Sequence, residues 1–205
     1  MVGGIGLWYE AAMIVYRSLL PLERRAFAEH LLRLSPADRR MRFGCAARDA
    51  FIERYVVGIP LSDAIVAAFD ETLVLRGAAH IAFAGQTADL GLSVEQGWRG
   101  MGLGTRLLDG ALDLAQARGA RHFTSQCLTH NRWMMAHVRR LGFKVSSCDG
   151  ETTARAELPS PTPGLIGRLA LTENLSWCTL GWLAMLSGTT AALSQAGAKL
   201  SLIHI

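Results

Sequence analysis

The stretch Val94-Glu-Gln-Gly-Trp-Arg-Gly-Met-Gly-Leu-Gly-Thr105 suits one kind of chemistry, the holding of an anion by peptide N–H groups. Gly100, Gly102 and Gly104 have no side chains to block an anion's approach. A helix beginning near Gly102 would open with amides that lack internal partners, in the positive field of its own dipole. The backbone from Arg99 to Thr105 can then ring a pyrophosphate, with Arg99 nearby. Two other phosphate loops are excluded. No register of these glycines completes G-x-G-x-x-G, and the Gly-Lys-Ser/Thr end of a P-loop is absent. A glycine-rich turn without a ligand stays open.

The elements that must position this loop follow from periodicity. Residues 11–16 (AAMIVY) read as a first strand. A helix runs from Pro21 to Leu34, with Leu22, Ala26, Phe27, Leu31 and Leu34 at helical spacing, and Ser35-Pro36 breaks it. A second helix fits 45–57. Residues 64–69 (AIVAAF), 73–83 and 87–94 read as successive strands, with a turn at Asp70-Glu71-Thr72. After the loop comes an amphipathic helix with Leu103, Leu107, Leu108, Ala111, Leu112, Leu114 and Ala115 on its apolar side, ended by Gly119. Residues 121–128 form a strand, 131–141 a helix and 142–147 a strand. Asp149-Gly150 signals a hairpin into 151–158. Pro159, Pro161 and Pro163 mark a linker before a tail, 165–205. The order is α+β, with strands of mixed direction.

Composition narrows the classes. A chain of 205 residues, half of them apolar, is one domain or one domain with an appendage. The net charge of +4 is carried almost entirely by arginine and does not indicate a nucleic-acid partner. Cys45, Cys127, Cys148 and Cys178 are scattered without a CxxC pair, so no metal site or disulfide framework is expected, and a cytoplasmic setting fits. No basic residue precedes the apolar start, so a secretory signal is not expected. Residues 174–198 are uncharged, but small and polar residues dilute them, and a helix packed on the domain or on a second subunit fits better than a membrane span. Trp177, Leu180, Leu183, Ala184 and Leu186 would form its apolar face.

Val94 followed by Arg99-x-x-Gly102-x-Gly104 resembles the Q/R-x-x-G-x-G/A signature of the GNAT superfamily of acetyl-CoA-dependent N-acetyltransferases. Asn131 followed by Leu141-Gly142-Phe143-Lys144 is similar to that family's N-x(10)-G-F segment. Together the two cover about residues 60–158. The resemblance implies a mixed, mostly antiparallel sheet flanked by helices, followed here by a helical C-terminal tail. It divides the chain into an acetyltransferase domain, 1–160, and a linker with an apolar tail, 161–205.

The same resemblance implies a site. A bulge in the strand before the loop would splay two strands apart. The pantetheine of acetyl-CoA, the co-substrate, would bond to the backbone of Leu92, Ser93 and Val94. Its pyrophosphate would sit on Arg99, Gly100, Met101, Gly102, Leu103, Gly104 and Thr105. Asn131 would face the pantetheine arm, unless it is simply a helix N-cap. The reaction implied is direct attack of a primary amine on the thioester in a ternary complex, with the Val94 N–H as oxyanion donor and Asp89 as the base acting through water. Glu95 and His80 are weaker candidates. The tyrosine that many members place seven residues after the asparagine is Val138 here, and His137 beside it is a large rotation away around a helix. Cys127 fits a core position better than a covalent acyl route. The arginine-rich helices of 24–42 would form the acceptor-side wall, with His30 and Arg33 as candidates for an acidic substrate group, or else a solvated face. The partners implied are acetyl-CoA and an unidentified amine, without nucleic acid or membrane, and a homodimer through the tail is open. A non-catalytic acyl-CoA-binding regulatory module is the alternative reading.

Overall fold

The computed structural model describes residues 13–128, 131–148 and 151–201. Seven strands form one sheet, with β1 Val15–Ser18, β2 Ala64–Phe69, β3 Leu75–Ala84, β4 Thr87–Val94, β5 His122–Leu128, β6 Lys144–Cys148 and β7 Glu151–Glu157 in the order β1-β2-β3-β4-β5-β7-β6. Every neighbouring pair is antiparallel except β4 and β5. That parallel pair is joined by helix α4, Leu103–Ala117, as a β-loop-α-β unit requires. β2 is buried at all six positions, which is why its sequence is a continuous apolar run rather than an alternating one.

Two apolar layers sandwich the sheet. On one face Leu103, Leu107, Leu108, Ala111 and Ala115 of α4 pack against Ala79, Ile81, Ala88, Leu90 and Phe123. On the other, helices α1 (Arg24–Arg33) and α3 (Asp49–Val57) bury Phe27, Leu31, Ile52 and Val56 against Ile65, Ala67 and Ala78. Fully burying each of these large side chains contributes roughly 1.5–3 kcal/mol.

The sequence expectations need three corrections here. The first strand runs from Val15 to Ser18 rather than over 11–16, and residues 11 and 12 lie outside the described residues. Ser35-Pro36 does not only end α1. It also starts helix α2, Pro36–Phe43, because Ser35 Oγ accepts a hydrogen bond from the Asp38 N–H at 3.2 Å and Pro36 fits the first turn. α2 buries none of its residues, so no apolar stripe announced it. The third helix accordingly starts at Asp49 rather than at 45. The Asp149-Gly150 hairpin signal lies outside the described residues.

The tail is helix α6, Pro163–Ser201, and Pro163 opens it rather than ending a linker. α6 lies along β1, the edge of the sheet. Ser176 Oγ donates to the Tyr16 carbonyl at 2.6 Å, the Ser18 N–H donates to Glu173 at 2.7 Å, and Arg17 stacks on Trp177 at 4.0 Å. Leu165 and Leu183 are buried beneath it. An edge strand with free N–H groups is thereby covered. Among the described residues, no helix is long and apolar enough to cross a membrane.

Candidate active site

The pairing of β4 decides what the loop can do. Its ladder with β3 is unbroken from Gly77↔Val94 to Ala84↔Thr87, so the bulge implied by resemblance is absent there. The one register shift among these strands falls between β2 and β3, at Ala68/Phe69. The splay is nevertheless present. β4 pairs with β5 only from Thr87↔His122 to Leu90↔Ser125, whereas β5 continues along β7 to Leu128↔Glu151. β5 follows its antiparallel partner and leaves β4, which opens a V without a bulge.

Hydrogen-bond alternation then sorts the peptide groups. The Glu95 N–H bonds to the Arg76 carbonyl at 3.0 Å, so Ser93 is likewise a hydrogen-bonded partner of β3. Leu92 and Val94 turn their peptide groups the other way, into the V. Ser93 uses its backbone in the ladder, and its Oγ meets His30 Nε2 at 2.9 Å behind the strand.

At the end of β4 the chain makes a short 3-10 turn, Gln96–Trp98, and enters the glycine loop. Gly100 and Gly102 adopt φ of +78° and +83°, the left-handed region that favours glycine. Gly102 caps α4 with no side-chain hydrogen bond, so the first amides of the helix are left to a ligand. Nothing lies within 4 Å of where a Cβ would stand on either glycine. Gly104 is small for another reason, since a Cβ there would meet Trp133 at 2.8 Å.

These parts line a cavity of about 440 Å³ that includes Leu92, Ser93, Val94, Trp98, Arg99, Gly100, Gly102, Leu103, Gly104, Thr105 and Asn131. Every binding residue expected from sequence is there except Met101, which points outward and is 42% exposed. Asn131 accepts from the Met134 N–H at 3.2 Å, so it is an N-cap as well as a cavity residue. Arg99 is turned back, bonding the Val94 carbonyl at 3.1 Å and pairing with Asp38 of α2 at 2.6 Å. Burial works to raise Asp38, but hydrogen bonds from Arg99 and Ser35 win and hold it below the usual carboxylate range.

Helix α5, Arg132–Arg140, shows why Val138 cannot serve as a proton donor. Met134, Met135 and Val138 form its buried stripe, and Val138 lies wholly in the core. Trp133 and His137 lie one turn apart on the other face, stacked at 4.0 Å, and both line the cavity. His137 Nε2 meets Thr105 Oγ1 at 2.9 Å. The sequence reading set His137 aside for being one step from Val138, yet that step is what turns it toward the loop.

A second cavity, about 290 Å³, lies on the other side of the V. Its walls include Arg42 of α2, Tyr55 of α3, His80 of β3, Asp89 and Gly91 of β4, and Gln126 and Cys127 of β5. Met41 and Arg42 line both cavities, so the two meet at α2. Asp89 therefore stands in this cavity and not in the loop cavity. It is exposed and accepts a hydrogen bond from Thr124 Oγ1 at 2.7 Å. His80 meets Asp63 at 3.2 Å through Nε2 and Tyr55 at 2.7 Å through Nδ1. Burial first, and then the Arg42 charge, pushes His80 down to about 4, so it is neutral at pH 7. With its proton on Nε2 facing Asp63, its Nδ1 accepts from the Tyr55 hydroxyl, whose oxygen accepts from Arg42 Nη2 at 2.9 Å. Sequence reasoning missed this Asp63–His80–Tyr55 chain because its members sit on separate elements.

Four other candidates are engaged elsewhere. Glu95 holds His30 at 3.1 Å, Arg33 at 2.8 Å and Arg76 at 3.1 Å. Burial would raise Glu95, but hydrogen bonds from His30 and Arg33 outweigh it and keep it ionised, which makes it a poor base. His30 is fully buried and lowered mainly by that burial. His30 and Arg33 thus brace β4 from behind and line neither cavity. Cys127 is buried, and burial raises its thiol, so no reactive thiolate is favoured.

The comparisons with known proteins agree with this geometry. The model of the acetyltransferase (GNAT) family matches residues 22–143, and the chain belongs to that family, whose members take acyl groups from acyl-CoA. The fold is similar to the GNAT domain of PAT from S. lividans, with TM-score 0.59 at 15% identity over 73% of this chain and 98% of that one. It is also similar to an acetyltransferase of the GNAT family from Streptococcus pneumoniae, with TM-score 0.58 at 16% identity over 72% of this chain and 100% of that one. A third similar structure is RimL, a ribosomal alpha-N-protein acetyltransferase in complex with coenzyme A, with TM-score 0.55 at 16% identity over 71% and 94%. No curated protein sequence matches the chain.

Proposed function

We propose that the protein is an acetyl-CoA-dependent N-acetyltransferase that brings thioester and primary amine together in a ternary complex. The observation that carries the reading is the pair of cavities meeting at Met41 and Arg42, one built of open peptide groups and the other of titratable side chains. Acetyl-CoA suits the first. Two left-handed glycines with free space, an uncapped helix start and the unpaired edge at Leu92 and Val94 are what a diphosphate and an amide-bearing arm need. Arg99, Gly100, Gly102, Leu103, Gly104 and Thr105 hold the diphosphate, Leu92, Val94 and Asn131 hold the arm, and Arg99 exchanges Asp38 for phosphate. Met101 and Ser93, also expected from sequence, contribute at most main-chain shape.

The thioester supplies an activated acetyl carbon. The Val94 N–H, facing the V, is the donor for its carbonyl oxygen. Asp89 accepts the amine's proton through water. Tyr55, whose hydroxyl lines the second cavity beside Arg42, is the proton source that Val138 cannot be. Neutral His80, oriented by Asp63, holds the phenol in place. We assign residues 1–160 to the transferase unit and 161–205 to an appended segment whose helix α6 covers the edge at β1.

One observation favours a non-catalytic acyl-CoA-binding module, the burial of Val138 where the resemblance implies a tyrosine acid. Release of free thiol from acetyl-CoA with a panel of amines separates the two. Amine-dependent release supports transfer. Tight acetyl-CoA binding without release for any amine supports the sensor.

A further inference from the structure

We propose that the acceptor is a small amine that also carries a carboxylate, and that Arg42 grips this carboxylate in the cavity between α2, α3 and strands β3–β5. The proposal rests on the acyl-transfer reading and deepens it. Several arginines on this side of the sheet have carboxylate partners, and Arg24 and Arg54 bond backbone carbonyls instead. Arg33 and Arg76 share Glu95, Arg39 pairs with Asp49 at 2.6 Å, and Arg99 pairs with Asp38. Among the described residues, no carboxylate lies within ion-pair distance of Arg42. Its Nε is buried without a hydrogen-bond partner, and its single side-chain bond is to the Tyr55 hydroxyl. A part-buried guanidinium without a counterion, its Nε shut off from water, is costly, and a carboxylate is the group its fork fits.

The guanidinium is also held in place. It lies against the rings of Phe43 and Tyr55, at 4.9 and 5.7 Å, and over Gly91, where a Cβ would overlap it. Gly91 is thus a seat for Arg42 in the floor of the cavity. Asp89, His80, Tyr55 and Cys127 are the other charged or titratable groups lining this space, with Asp63 behind His80. Asp63 is spent on His80 and the Phe83 N–H, at 3.2 Å each. That leaves one cation and one exposed anion, Arg42 and Asp89, for a ligand with one of each. A volume of about 290 Å³ suits a small molecule. A purely cationic acceptor such as a polyamine would meet the Arg42 charge with nothing to offer it. The same charge lowers the proton affinity of a bound amine, as it lowers that of His80, and so helps keep the amine neutral for attack.

The test uses the full chain with acetyl-CoA and paired acceptors: L-glutamate, L-methionine, L-phenylalanine, β-alanine and 4-aminobutyrate, each with its carboxamide. Thiol release should favour at least one acid over its carboxamide by about a hundredfold in kcat/KM. Arg42→Gln should cut that ratio at least about tenfold, mainly through KM for the acid, and Arg42→Lys should restore part of it. Acetyl-CoA affinity by calorimetry and the thermal transition report whether the variants fold. If they do not, the wild-type ratio decides alone. A ratio near one, or better rates with spermidine than with every acid, would overturn the proposal while leaving acyl transfer standing. Binding of an acid to the coenzyme A complex that is lost in Arg42→Gln, with no thiol release from any amine, would support the Arg42 site and remove the transfer reading.

Discussion

The two cavities are built in opposite ways. The loop cavity centres on backbone, with left-handed glycines, an uncapped helix start and two outward-facing residues of a splayed strand, walled by side chains such as Trp98, Trp133 and His137. The second cavity, proposed for the acceptor, is walled mainly by side chains from α2, α3, β3, β4 and β5. A backbone site serves a ligand part that never changes, the diphosphate and arm of a cofactor. A side-chain site can be altered one residue at a time without disturbing the loop. Changes in the first should therefore abolish everything, and changes in the second should retune the acceptor while leaving cofactor affinity intact.

The largest expected effect is at Gly102. Gly102→Val puts a β-branched residue at φ +83°, costing roughly 1–2 kcal/mol, and blocks amides that hold phosphate. Acetyl-CoA affinity should fall about a thousandfold by calorimetry, with a cooperative thermal transition retained, since no atom lies near the new Cβ. Next is Asp89→Asn, which should lower kcat about a hundredfold with cofactor affinity unchanged. An unaltered kcat would remove Asp89 from the role of base. Gly91→Ala should unseat Arg42 and raise the acceptor KM about tenfold, again without touching the cofactor. A fall in cofactor affinity instead would break the division between the cavities.

The smallest effect is on stability. His80 has a folded pKa of about 4, below its ordinary 6.5, so the unfolded chain binds more protons between these values. Stability is fully present above pH 6.5 and is lost as pH falls toward 4, at no more than about 1.4 kcal/mol per pH unit from this residue. Urea titrations at pH 7 and 5 should show the loss, and His80→Gln should flatten it.

The same contrast explains what could be read from the chain. The loop, α4 and strands β2, β4 and β5 were legible because their signals are contiguous: glycine spacing, an apolar face and apolar runs. Helix α2 was hidden because it buries nothing and begins at the Ser-Pro pair that ends its neighbour. His137 is one step of helix rotation from Val138, and that rotation sets it beside Trp133, one turn away, on a face of their own that no count from Asn131 points to. Arg42 looked like one more arginine in a charged stretch. Its buried, unbonded Nε at a cavity wall sets it apart, and placement across elements is not written in any local pattern. His30 and Arg33, chosen for an acidic substrate from the same stretch, are braces for Glu95.

The central claim is that cofactor and acceptor occupy different cavities that touch at α2. A crystal structure with coenzyme A and a carboxylated amine bound tests it most directly. The account predicts diphosphate on the amides between Gly100 and Thr105, sulfur near Met41 and Arg42, and the amine on the Asp89 side of the V. Diphosphate away from that loop, or the amine in the loop cavity itself, would contradict it.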